Sequence, residues 1–127
     1  MAIEHTITYE HSNAGNTVRK ASIVSNGLEM NYSEPVANSV TDLAIACAFL
    51  VAKLKSIFMW TDVNMIIETN SSSAATNTFS LLANIPLVWT PDSYHANPFT
   101  ANVTALFATN PGLVDGTLQI RMIVDPT

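Results

Sequence analysis

Few side chains in this chain of 127 residues could do chemistry, and their spacing fits no single reaction. Three histidines stand at His5, His11 and His95, the last far from the other two. A metal site needs three or four convergent ligands, so no metal or other cofactor is expected. The carboxylates Glu29, Glu34, Asp42, Asp62, Glu68 and Asp92 are scattered, and no spacing sets up an acid–base pair of the glycosidase kind. Neither Gly-x-Ser-x-Gly, nor a glycine-rich phosphate loop, nor His-Glu-x-x-His is present. No residue is assigned a catalytic role, and the chain is not expected to be an enzyme. The single Cys47 excludes an intrachain disulfide. Lying in an apolar run, it is expected to be a buried, unreactive thiol.

The densest cluster of recognition-type residues is the segment from Trp89 to Phe99, with Trp89, Asp92, Tyr94, His95 and Phe99 as a candidate interface or ligand loop. Aromatic side chains beside Asp, His and Asn line both sugar sites and protein contacts. Three roles stay open: aromatics plugging one end of the fold, a subunit contact, or a sugar site.

The composition narrows the partners. Only 12% of residues are charged and the net charge is −5, about half the roughly 25% charged content of ordinary soluble domains. Five scattered Lys and Arg argue against nucleic acid, which clustered cations bind. Hydrophobic residues at 48% exclude a disordered tail. The longest apolar stretch, Leu43 to Ala52, is too short for a membrane span. The opening ten residues alternate instead of forming a basic start and an apolar run, so synthesis in a cytoplasm without export is expected. The three Asn-x-Ser/Thr triplets, at Asn31, Asn70 and Asn102, are then products of 14 Thr, 11 Ser and 12 Asn. Such uncharged polar residues can be buried in a contact without the cost of desolvating charge. This suits a protein that spends its life packed against others.

The elements that must position these residues are strands. Ile3, His5, Ile7 and Tyr9 alternate with Glu4, Thr6, Thr8 and Glu10, the period of a strand. A turn follows at residues 12–16, then a strand over Thr17 to Ser25, then Asn26-Gly27 as a hairpin signal. Leu28, Met30 and Tyr32 alternate next. Over Val40 to Ile57 a strand carrying Leu43, Ile45, Cys47 and Phe49 on one face is favoured, with a buried helix as the alternative. Residues 51–55 read as a helical turn or loop.

Neighbouring strands are expected over Ser56–Trp60 and Val63–Thr69, and short ones over Thr78–Leu82 and Leu87–Thr90. Another starts with Val103, Ala105 and Phe107 on one face. The last carries Leu118, Ile120, Met122 and Val124. Eight or nine short strands with frequent turns predict one all-β domain over residues 1–127. The expected form is an antiparallel β-sandwich, a jelly roll of about eight strands.

Several of these strand and turn segments resemble a known group. They are Leu54-Lys55-Ser56-Ile57, Ile67-Glu68-Thr69-Asn70, Leu87-Val88-Trp89-Thr90, Asp92-Ser93-Tyr94, Leu106-Phe107-Ala108-Thr109-Asn110 and Leu118-Gln119-Ile120-Arg121. The stretch from Asp42 to Thr127 is similar to small proteins encoded in the structural regions of tailed phages and prophages. The resemblance implies a virion structural protein, most concretely a head decoration (cement) protein forming a homotrimer on the major capsid protein. It supplies no site residues. Residues 1–10 are expected to form a strand or arm that contacts a neighbouring subunit. The alternative is a phage tail or fibre component, including a carbohydrate-binding adhesion module built on Trp89, Tyr94 and Phe99.

Overall fold

Alternation along the chain becomes ten antiparallel strands, described for residues 3–25 and 27–125 of a computed structural model. They are β1 (Glu4–Asn13), β2 (Asn16–Ser25), β3 (Leu28–Val36), β4 (Leu43–Ile45) and β5 (Leu54–Thr61). The second half adds β6 (Met65–Thr69), β7 (Thr78–Leu81), β8 (Leu87–Trp89), β9 (Leu106–Thr109) and β10 (Gly116–Val124). Among the described residues the only helical piece is a single 3₁₀ turn, Val51–Lys53, and no helix is long and apolar enough to cross a membrane.

Eight of the strands pair in a nested order. β3 pairs with β10, β4 with β9, β5 with β8 and β6 with β7. The chain therefore doubles back once, between β6 and β7, as a two-stranded ribbon. Winding that ribbon brings β10 against β5 and β9 against β6. The result is two four-stranded sheets, β3-β10-β5-β8 and β4-β9-β6-β7, packed as an all-β sandwich.

The inward faces follow from the period of two. One sheet contributes Ile57, Met59, Leu118, Ile120 and Met122; the other contributes Ile45, Met65, Ile67, Leu106 and Ala108, all buried. Burying each large apolar side chain stabilises by about 1.5–3 kcal/mol before the ordering cost is counted. One end is closed by Phe99, whose ring meets Phe49 and Phe79 edge-on at 5.2 and 5.1 Å.

The sandwich protects its edges. β4, β7 and β8 are three or four residues long. The nine-residue β3 carries Pro35, which cannot donate to an added strand, and Glu34 opposite the inward-facing Leu118. Short strands, proline and an inward-pointing charge all discourage edge-to-edge pairing.

Several expectations need correction. Asn26 lies outside the described residues, but β2 and β3 do not form the expected hairpin, since β2 pairs with β1 and β3 with β10. Gly27 is required for close approach: a Cβ there would sit 2.1 Å from Ile123 Cγ2 and 2.8 Å from the Val124 carbonyl oxygen. The strands over Ser56–Trp60 and Val63–Thr69 exist but are not neighbours, because the chain crosses between sheets at Asp62-Val63-Asn64. Thr61 Oγ1 donates to the Val63 carbonyl, and Asn64 Oδ1 accepts from the Ala83 amide. Phe107 does not share an inward face with Val103. Asn70 Oδ1 accepts from both the amide and hydroxyl of Thr104, the chain changes phase there, and Leu106 and Ala108 turn inward instead.

The ambiguous stretch takes the extended form. Ile45, Cys47 and Phe49 are buried while Ala44, Ala46 and Ala48 are exposed. Only Leu43–Ile45 is regular strand, and Phe49 makes a lone bridge to Val103. Burial pushes the Cys47 thiol up to about 11, so the thiolate needed for reactivity is scarce at neutral pH.

Candidate functional site

The remaining two strands form a separate antiparallel ribbon, β1–β2, which we call the arm. Its turn puts Gly15 at φ 91°, where a side chain would be strained. The cross-strand register runs unbroken from Glu4↔Ser25 to Asn13↔Asn16. At the base, His5, Ile7, Ser22 and Val24 are buried or half-buried and belong to one face. From Thr8 to Ala21 every residue is exposed. Residues 4–10 are thus strand, as expected, but their pairing partner is β2 of the same chain.

The arm lies over the outer face of β3-β10-β5-β8. At the β3 side, His5 Nε2 is 3.5 Å from Glu29 Oε1. Hydrogen bonds from Asn31 and from His5 hold the Glu29 carboxyl below its ordinary value. In the middle, Glu4, His5, Thr6 and Ile7 line a cavity of about 340 Å³ with Ser56, Phe58 and Arg121. The Arg121 guanidinium donates to the carbonyls of Tyr32 and Ile120 and to Gln119 Oε1. Ser56 Oγ is buried there without a hydrogen-bond partner. At the far side, Ser22 Oγ donates to Asp92 Oδ2 at 3.0 Å, just beyond β8.

The loop from Trp89 to Phe99 divides its labour. Trp89, on β8 opposite Ile57, packs half-buried against the core, and its indole N–H donates to the His95 carbonyl at 3.2 Å. Thr90 is fully buried and starts a tight turn, in which Ser93 Oγ accepts from the Thr90 amide and the Ser93 amide donates to the Thr90 carbonyl. That turn aims Asp92 at Ser22. Phe99 is 2% exposed and plugs the end of the sandwich. Tyr94 stands 97% exposed, with its ring edge-on to His95 at 5.3 Å. The structure therefore does not bring Trp89, Tyr94 and Phe99 together on one exposed surface. Asp92 anchors the arm, while Tyr94 and His95 face solvent.

Other candidates are dispersed. His5 sits at the arm's base, His11 on its exposed half and His95 on the loop. Among the described residues, no group of three or more His, Cys, Asp or Glu side chains is placed to hold a metal ion. Asn110, which opens an Asn-Pro-Gly turn after β9, is fully buried. Its amide donates to the carbonyls of Val36 and Val114 at 3.1 and 2.8 Å, and its Oδ1 accepts from the Gly112 amide. Asn110 pins the loop before β10 to the end of β3. The Asn-Pro-Gly sequence announced a turn but gave no sign that the side chain faces inward.

Comparison with protein-family models, with curated proteins and with solved structures finds no match for this chain.

Proposed function

We propose that this protein is a non-enzymatic structural component of a virion, a decoration (cement) protein on the capsid of a tailed phage, and that its sandwich is a jelly roll. The nested pairing supports the second half of that reading. Eight strands wound as one folded ribbon into two sheets are what a jelly roll consists of. The first half rests on the arm, which is the single observation that carries it. A two-stranded hairpin is at best marginally stable alone in water. Here its exposed half continues for six residue pairs that no other described residue of the chain covers. A surface of that kind is built to be met by another protein. The low charge of the chain supports the same reading, since interface cores are depleted in charged residues. The resemblance over residues 42–127 points to a phage head as the assembly.

Weak contacts suffice for such a role. An oligomer that grips several shell subunits at once gains avidity from the high effective concentration of its remaining arms. Two measurements test the reading. Particles purified on a density gradient from an induced culture carrying the gene should contain the chain together with the major shell protein. A chain confined to the soluble lysate overturns the proposal. Native mass spectrometry of the recombinant protein should give three times 13.7 kDa. A hexamer overturns the head assignment in favour of the tail.

A further inference from the structure

The sandwich has two outer faces, and the base of the arm lies over one end of one of them. The other, on β4-β9-β6-β7, presents Ala44, Ile66, Glu68, Ser80 and Phe107, all exposed or half-exposed. Ile66 and Phe107 make its centre apolar. Of the arm's ten residue pairs, the six from Thr8↔Ala21 outward are wholly exposed. The face that packs on the body through His5, Ile7, Ser22 and Val24 carries on outward as Tyr9, Lys20, His11 and Val18. Tyr9 is 47% exposed and Val18 73%. Apolar residues thus recur on that face past the last described residue of the body that it packs against.

We infer that the exposed half of the arm lies across the outer face of β4-β9-β6-β7 in a second copy of this chain, with Tyr9 and Val18 over Ile66 and Phe107 and Lys20 beside Glu68. This inference deepens the structural-protein reading and rests on it. Two further observations favour a second copy as the occupant. The first is size. Six residue pairs extend for about 20 Å, and four strands side by side span about 19 Å. The second is charge. The face of the exposed half that carries Tyr9 and Val18 holds Lys20 and no carboxylate, Arg19 and Glu10 being paired on the opposite face, while the chain outside that half holds three Lys and Arg against nine acids. Among the described residues, neither Lys20 nor Glu68 has a charged partner within its own chain.

The contact joins different surfaces, so each copy gives one arm and receives one. Such a head-to-tail arrangement closes into a ring when the rotation allows. A strip two strands wide and about 20 Å long has a smaller footprint than the roughly 800 Å² per partner of a standard interface. Closure is what makes the ring stable.

The test is light scattering on a sizing column across a dilution series, with thermal melting as the check on folding. The wild-type chain should be oligomeric. Replacing both exposed apolar residues (Tyr9→Ser with Val18→Asp) should raise the dissociation concentration more than about tenfold without lowering the melting temperature of the body. Lys20→Glu and Glu68→Lys should each weaken the oligomer about two- to fivefold, and the double reversal should restore it. A wild-type monomer at the highest soluble concentration overturns the inference. So does an oligomer indifferent to the arm substitutions. An oligomer of that second kind, found in particles, would still leave the virion reading standing.

Discussion

In the sandwich, β5, β6 and β10 are each paired on both sides, and the long edge strand β3 is guarded by Glu34 and Pro35. In the arm, two ten-residue strands have one partner each, no proline and, among the described residues, no cover beyond Ile7. Both regions use the same alternating chemistry, yet one is closed on itself and the other is left open. Edges are where sheet proteins risk unwanted association. A chain that blunts every edge of its body and leaves long edges on an exposed ribbon keeps its protected and unprotected edges apart. The body holds the fold, and the arm carries the unsatisfied surface.

That division can be broken from either side. The largest effect belongs to the body: Ile120→Ala, at a fully buried position facing Met59 and Tyr32, should cost about 2–5 kcal/mol. Urea unfolding with tryptophan fluorescence measures it. At the junction, Gly27→Ala forces a Cβ into Ile123 and the Val124 carbonyl and should cost about 1–3 kcal/mol. Hydrogen exchange would place that loss at β3 and the C-terminal end of β10. The smallest effect is Ser22→Ala, which removes the link to Asp92 and should cost about 1 kcal/mol. It should speed amide exchange along β1 and β2 while leaving the sandwich protected. If all three variants slow or speed exchange uniformly across both regions, arm and body form one cooperative unit and the distinction fails.

How far the sequence foretells this molecule depends on the range of the interaction concerned. The alternation of Leu118, Ile120, Met122 and Val124, and that of Ile45, Cys47 and Phe49, is local, and it identifies strands and their buried faces. Pairing is not local. Nothing near Leu28–Val36 indicates that its partner lies at Gly116–Val124, and Asn26-Gly27 suggested a nearer partner for a reason of turn chemistry. The glycine is there because two backbones meet. Phe107 is misread for a related reason: the change of phase before it is imposed by Asn70, more than thirty residues earlier. The Trp89–Phe99 loop was recognisable as distinctive from its composition. Its division into plug, anchor and exposed pair depends on contacts with Ser22, Phe49 and Phe79 that no local pattern encodes.

The nested pairing also sets an order of events in time. The arm's two strands are joined by a two-residue turn and can zip within about 1–10 μs, as soon as both have left the ribosome. The first strand of the sandwich waits for the last: β3 has no neighbour until β10 has been translated. Topologies dominated by such distant pairings fold in milliseconds to seconds. Each newly made chain can therefore sample its ribbon early but holds it only once the body beneath has closed, since a lone hairpin is marginally stable.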